Sequence, residues 1–280
     1  MGYQQPRWLI LDFFAAFARQ LDNTMAIAHL IQLMSEFGMD QQTVRSSISR
    51  LKRKGWLEPD RVDGLPAYRI SPTALRDLAE GDSRVYHLHP AEIEEGWCLV
   101  TFSLPESLKG QRHILRSKLT WWGFGNPAPG VWIAPERSAG YAVRTIESLG
   151  VGRYASVFHS EYVGVEPLQD FVNRAWEFSE LSARYEAFLA ENSPIQRRWA
   201  KGRPDAADAR AFVDYLRMLN SWRSIPFLDP GLPLSLMPAG WKGQDATRLF
   251  HGLSDRLYES ALAHVEAVTG RSRAPGRVAS

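Results

Sequence analysis

Gly38 to Tyr68 reads GMDQQTVRSSISRLKRKGWLEPDRVDGLPAY, and the order of signals in this stretch decides how the chain begins. Gly38 suits the left-handed residue that closes a preceding helix. Asp40 is a strong N-cap, since its carboxylate can accept from backbone N–H groups left open at a helix start. Gly55 then ends the new helix. Between them Val44, Ile48 and Leu51 recur at i, i+4 and i+7 and predict one buried stripe. The opposite face carries Gln41, Gln42, Thr43, Arg45, Ser46, Ser49, Arg50, Arg53 and Lys54, with no acidic residue among them.

Those residue types match the donor and acceptor pattern of base edges and phosphates. Gln and Arg make two-pronged contacts to adenine and guanine, and Ser and Thr serve base or backbone. The N-terminal turns of such a helix meet the bases. The spacing therefore assigns Gln41, Gln42, Arg45 and Ser46 to bases, and Ser49, Arg50, Arg53 and Lys54 to phosphates. A basic helix face is usually only a solvated one, so the context matters. Upstream, Thr24 to Phe37 reads as a second helix with Ile27, Leu30, Ile31 and Met34 as its stripe, a short turn away. Downstream, Trp56 to Ile70 reads as two strands around Asp63–Gly64, a strong hairpin signal. Arg61 flanks the hairpin tip and Arg69 lies on the return strand, where an arginine can enter a minor groove. Helix, turn, helix and hairpin together predict a winged helix-turn-helix that binds double-stranded DNA.

At 280 residues the chain is long enough for about two domains, or three. Hydrophobic residues make up 45% of it and ten are Trp, which supplies ample core. The formal net charge is only +2, and residues 1–80 are as balanced as the rest. The basicity is local to Arg45–Lys54, as suits a reader of defined sites rather than a coating protein. The single cysteine, Cys98, excludes an intrachain disulfide and a Cys-based zinc site. No apolar run is long enough to span a bilayer. Trp8 to Ala18 is apolar but interrupted by Asp12, and reads as the first helix rather than a signal peptide. A cytoplasmic protein is expected.

The expected fold class is α+β in successive domains. Residues 1–80 form the DNA-binding module, ending in a short helix opened by Ser71–Pro72, and 81–96 form a linker with one helical turn at Pro90 to Glu95. In 97–166, strands at Trp97–Ser103, Gly130–Ala134 and Tyr154–His159 alternate with helices at Leu108–Thr120 and Ala139–Leu149. The first of these helices is read with Ile114, Leu115 and Leu119 inward. A further strand before Gly130, within the turn-rich Gly123–Pro129, would complete a ferredoxin-like βαββαβ order. Residues 167–268 read as mostly helical, apart from the proline-rich Pro226–Gly243, and 269–280 as a flexible tail.

The chain resembles the PaaX-type repressors, regulators of phenylacetic acid degradation and their relatives, along nearly its whole length. FGMDQQTVRSSISRLKRKGWLE (Phe37–Glu58) is similar to the family's winged-helix core. WWGFGNPAPGVWIAP (Trp121–Pro135) looks like its middle domain, and SWRSIPFLDPGLPLSLMPAGWKG (Ser221–Gly243) like its C-terminal signature. The resemblance implies a homodimeric repressor of an aromatic catabolic pathway. It also implies release from DNA by an aromatic acyl-CoA, phenylacetyl-CoA in the type member. The middle domain resembles the fold of a small CRISPR-associated nuclease, which places an acidic residue at the end of its first strand. Here that position reads Thr101, Phe102, Ser103, Leu104, Pro105, with Glu106 only past the proline, which argues against metal-dependent cleavage.

Trp121, Trp122, Phe124 and Trp132 surround a Gly/Pro-rich turn, and with Arg116 they are candidates for a flat aromatic effector, though core packing explains them as readily. Tyr215, Trp222 and Arg223 form a similar candidate set with the same bland alternative. His87, His89, Glu92 and Glu94 are read as linker surface rather than metal ligands, and no cofactor is expected. No G-x-S-x-G elbow, P-loop or H-E-x-x-H is present, so an enzyme is not expected. The alternatives are a ferredoxin-like nuclease or hydrolase carrying a DNA-binding module, and a protein-binding scaffold.

Overall fold

In the computed structural model, which describes residues 5–273, Pro6 stands in the first turn of helix α1 (Pro6–Ala16), where its missing N–H costs nothing. Phe13, Phe14 and Phe17 from this helix and its end are fully buried. Asp22 and Asn23 then take positive φ angles of 57° and 61° and turn the chain. Strand β1 (Thr24–Ala26) follows, then α2 (Ile27–Ser35). The sequence reading placed Thr24–Ala26 inside that helix. Pairing decides otherwise, because Thr24, Met25 and Ala26 stand opposite Arg69, Tyr68 and Ala67 in a sheet. The buried stripe of α2 is Leu30, Leu33 and Met34, while Ile27 and Ile31 are only half-buried.

Helix α3 (Gln41–Arg53) and strands β2 (Leu57–Val62) and β3 (Leu65–Ile70) fall where the caps and the Asp63–Gly64 turn place them. Both turn residues have positive φ, 52° and 76°, the geometry of a two-residue hairpin loop that matches strand twist. The first sheet has the order β1-β3-β2. Helix α4 (Pro72–His87) opens at Ser71, whose Oγ accepts from the Ala74 amide at 3.1 Å. It runs past Glu80 through a buried Gly81, so seven residues expected in a linker are helical. Leu78, Gly81 and Val85 continue its buried face, and that packing outweighs the glycine's poor helix propensity.

The second sheet is built from β4 (Trp97–Phe102), α5 (Lys109–Trp121), β5 (Gly125–Ala128), β6 (Val131–Pro135), α6 (Ala139–Ser148) and β7 (Ala155–Ser160). Its strand order is β5-β6-β4-β7 and its pairs are antiparallel. The strand expected before Gly130 is β5. Cys98, Val100, Trp132 and Ala134 pack with Leu115 and Leu119 of α5 and Ala142 and Ile146 of α6. Ile114, expected inward, is instead 44% exposed, because Leu115 and Leu119 already fill the contact. A second cluster joins Trp97 and Ile133 to Val172 and Ala175 of α7 (Leu168–Ala175) and to Leu232 and Leu236.

The rest is helical, as expected, with α8 (Phe178–Trp199) burying Leu181, Tyr185 and Phe188, α9 (Ala209–Trp222) burying Phe212, Tyr215 and Leu219, and α11 (Gly243–Thr269) burying Leu253, Leu257 and Ala261. The proline-rich stretch between the last two holds a single turn of helix, α10 (Ile225–Leu228), and a 3-10 turn at Leu234–Leu236. The fold is thus α+β with two small antiparallel sheets. The chain forms two compact units. The first gathers the chain up to Tyr86, Phe188–Arg223 and the chain from Asp245 on; the second gathers His87–Ala187 and Ser224–Gln244. Of the expected tail, Thr269 ends α11 and Arg271 donates to the carbonyls of Thr24 and Leu21, while the part after Arg273 lies outside the described residues.

Candidate nucleic-acid interface

Helix α3 is fastened at its start and along one side. Asp40 Oδ1 accepts from the Thr43 amide at 2.6 Å, and this hydrogen bond holds the Asp40 carboxyl below the usual range. Val44, Ser47, Ile48 and Leu51 are buried, and Gly55 closes the helix with φ 74°. Gln41, Gln42, Arg45, Ser46, Ser49, Arg50, Arg53 and Lys54 are all exposed, and Thr43 is half-buried. With its oxygen turned toward Arg45, the Gln41 amide accepts from both Nε and Nη2 at 3.0 Å, which pre-orients that guanidinium at the helix start. Ser46 Oγ donates back to Thr43 O at 3.0 Å.

Among the described residues, none of Arg45, Arg50, Lys52, Arg53 and Lys54 makes an ion pair, so the positive charge of this face is not neutralised within the chain. Lys52 was missed from the sequence. It is exposed and stands seven residues after Arg45, which puts both on one stripe of the helix.

The hairpin arginines differ from one another. Arg61 Nη2 donates across the tip to Gly64 O at 2.6 Å, and its amide donates to Asp60 Oδ1 at 2.8 Å, which holds the Asp60 carboxyl below the usual range. Asp60 also accepts from Thr24 Oγ1 at 3.1 Å and so ties the hairpin to β1. Arg69 stands opposite Glu58 and donates to it from Nη2 at 3.0 Å, so its charge is already matched.

The turn that presents α3 is held from the far end of the chain. Glu36, the C-cap of α2, meets His264 of α11, with 2.8 Å between Oε1 and Nε2. Phe37 packs edge-on against Phe212 of α9 at 5.4 Å, and the Arg217 guanidinium lies 5.8 Å from the Phe37 ring centre. Deeper in, Asp12 of α1 accepts from Arg223 at 2.8 Å and from Asn220 at 2.5 Å. Burial holds the Asp12 carboxyl above the usual range in spite of both partners.

The effector candidates are divided between the two compact units. Trp121 is 44% exposed and stacks on Phe227 at 4.9 Å, and Trp122 stacks on Tyr141 at 3.9 Å. Phe124 and Trp132 are buried between sheet and helices, and Arg116 is exposed on α5. Tyr215, Trp222 and Arg223 belong to the other compact unit, where Tyr215 is buried and Trp222 Nε1 donates to Val85 O at 2.8 Å. Glu106 is taken up by Arg112 at 2.7 Å. Burial, with Glu136 nearby, pushes the Cys98 thiol up to about 12, which leaves it unreactive. Among the described residues no group of three or more His, Cys, Asp or Glu could hold a metal ion, and no helix is long and apolar enough to cross a membrane.

Three family models match the chain in order. Residues 5–74 match the PaaX-like protein model, 90–172 the PaaX protein central Cas2-like domain, and 176–267 the PaaX-like protein C-terminal domain. The chain belongs to the PaaX family. The basic helix and its hairpin lie inside the first PaaX match, and β4 to β7 inside the second. A PaaX relative, the transcriptional repressor PaaX of Escherichia coli (strain K12), is 27% identical over 258 aligned positions, and the match covers 89% of this chain and 81% of the relative. Among solved structures, the uncharacterized protein Rv0674 from Mycobacterium tuberculosis is similar, with a TM-score of 0.53 and 21% identity over 86% of this chain and 90% of its own. That likeness concerns the fold alone.

Proposed function

We propose that this PaaX-family chain is a sequence-specific DNA-binding transcriptional repressor and not an enzyme. In this reading α1 to β3 are a winged helix-turn-helix, with α3 in the major groove and the β2–β3 hairpin as the wing. The βαββαβ sheet is a ferredoxin-like module, and residues 167–268 form a mostly helical C-terminal domain. The protein acts in the cytoplasm as a homodimer, whose two copies of α3 meet half-sites about one helical turn apart, or a multiple of it.

The observation that carries the reading is the exposed face of α3, with Arg45, Arg50, Lys52, Arg53 and Lys54 free of any carboxylate partner among the described residues. A charged surface without counterions of its own is suited to release the counterions of DNA. The name of the Escherichia coli relative points the same way.

The test is binding of the full chain to DNA from the control regions of its own and adjacent genes, followed by footprinting. A protected site with two related half-sites supports the proposal. Binding that is equal for all duplexes, or absent, refutes it. The second part of the reading is release by an aromatic acid or its CoA thioester. A ligand that binds only the folded state raises the melting temperature by mass action. Such a ligand, added to the footprinted complex, must also lower DNA affinity; stabilisation without release would leave repression but remove this trigger. A ligand shifts the DNA-binding equilibrium only by its differential affinity for the two states.

A further inference from the structure

From Asn192 to Pro204 the chain reads NSPIQRRWAKGRP, with four cations and no acidic residue. This stretch covers the last turns of α8 and the start of the loop to α9, in the compact unit that also holds α3. Cations at the end of a helix balance its dipole, which accounts for Arg197 and Arg198. Asp214 of α9 also answers Arg198, at 2.5 Å. Neither reason reaches Lys201 and Arg203, which stand beyond the helix. Arg197, Lys201 and Arg203 are exposed, and among the described residues none of them makes an ion pair.

The loop is fastened on both sides. Trp199 Nε1 donates to Asp214 Oδ2 at 2.8 Å, and the Arg256 guanidinium of α11 donates to the Trp199 carbonyl and, at 3.4 Å, to Gly202 O. Ser260 Oγ donates to Asp205 O at 2.5 Å and accepts from the Asp208 amide at 3.1 Å. The same two helices hold the turn that presents α3. Arg256, Ser260 and His264 follow at four-residue steps along one stripe of α11, and His264 meets Glu36 at 2.8 Å. Phe212 of α9 stands four residues after Asp208 and packs on Phe37. Four residues rise about 6 Å along a helix. The basic loop therefore lies about one helical turn from the α2–α3 turn along each of two helices.

We infer that Arg197, Lys201 and Arg203 make a second contact with the phosphate backbone of the duplex that α3 reads. The major groove is about 12 Å wide, so a loop this close to the start of α3 stands beside a phosphate wall of the groove in the proposed complex. Three unmatched cations suit a polyanion, and contacts to phosphates fix the position of a duplex without reading its bases. The fastening by Arg256, Ser260 and Asp214 sets where these charges stand before DNA arrives. The inference rests on the DNA-binding reading and adds to it a part of the chain outside the helix-turn-helix.

The experiment uses the full chain and the footprinted duplex, extended by about one helical turn on each side. Arg203→Ala lowers the slope of log affinity against log salt by about 0.9 per chain, and the triple variant Arg197→Ala, Lys201→Ala, Arg203→Ala by about 2.7. The triple variant keeps the native circular dichroism spectrum, loses hydroxyl-radical protection at a few sugars of each half-site, and ranks single base-pair variants of the site as the native protein does. Arg197→Lys combined with Arg203→Lys keeps the native slope, because the charges remain. A triple variant with the native slope and the native protection overturns the inference and leaves α3 as the reader. A changed ranking of base pairs also overturns it, since the loop would then act by moving α3. A native chain that binds no duplex removes the DNA-binding reading, and this inference with it.

Discussion

Glu36 and His264 are 228 residues apart and meet at 2.8 Å, so the last helix of the chain holds the turn from which the basic helix starts. The other carboxylate oxygen of Glu36 is buried without a partner among the described residues, where His264 is the group that meets this carboxylate. Phe212 packs on both His264 and Phe37, so the contact sits in an aromatic setting rather than in open water.

Breaking this contact has a measurable cost. Hydrogen bonds to charged groups contribute about 1.5–3 kcal/mol, so Glu36→Ala and His264→Ala are each expected to lower unfolding stability by an amount of that order. Partners in direct contact couple by about 0.5–3 kcal/mol in a double-mutant cycle. Urea unfolding of both single variants and the double variant gives that coupling. Strictly additive losses would mean that the two side chains do not act together.

The buried Asp12–Arg223 pair predicts an unusual pH profile. Burial raises the Asp12 carboxyl above its usual 3.8, so the folded state binds this proton more tightly than the unfolded chain does. The associated stability is fully present below the unfolded value and is lost as pH rises through the folded one. Asp12→Asn removes that titration, so its stability relative to the native chain should improve as pH rises above 3.8 and then level off. Stability curves that stay parallel across this range would contradict the assignment. Asp12→Ala is a different change. It leaves Arg223, with 19% of its side chain exposed, without its carboxylate, and breaking one side of a buried pair costs about 3–5 kcal/mol.

Much of the stretch from Gly38 to Tyr68 was readable because the signals there are local. Asp40 caps, Gly55 stops, and Asp63–Gly64 turns, each through its own backbone preference. The gap before Gly130 likewise announced β5, since the strand order needed it. Distant partners were not readable. Thr24–Ala26 is a strand only because β3 lies beside it, and Gly81 stays helical only because its helix face is buried. The association of α9 and most of α11 with α1 to α4 in one compact unit rests on contacts such as Phe13 with Phe212 and Asp12 with Arg223. Asp12 looked like an interruption of an apolar stretch, and nothing near it in sequence names its partner. The exposed face of α3 was legible in part: its residues other than the half-buried Thr43 were read as exposed, while Lys52 needed the helix turned to be seen on Arg45's stripe.

Base reading and backbone contact should separate in variants of α3. Arg45 is oriented by Gln41 at the start of the helix, the part that meets base edges in the proposed complex. Arg45→Ala is expected to cost about 1–3 kcal/mol on the footprinted site and to relax preference at one base pair. The measurement is affinity against a panel of single base-pair variants of the site. An unchanged ranking across the panel would remove Arg45 from base reading.

Arg53 and Arg69 give the sharpest contrast, because both are exposed arginines and only one has its charge matched. Arg53 makes no ion pair among the described residues, whereas Arg69 faces Glu58 across the hairpin with 3.0 Å between Nη2 and Oε2. An arginine that displaces counterions from DNA adds about 0.9 to the slope of log affinity against log salt, and an arginine held by a carboxylate adds less. Arg53→Ala should therefore weaken binding to all duplexes and flatten that slope by about one. Arg69→Ala should leave the slope nearly unchanged, and cost the hairpin no more than the ~0–1 kcal/mol of an exposed ion pair. Titrations of each variant between low and moderate salt decide the matter. If the Arg69 variant flattens the slope as much as the Arg53 variant does, Glu58 releases Arg69 when DNA binds, and the wing then contributes a phosphate contact that the free protein keeps masked.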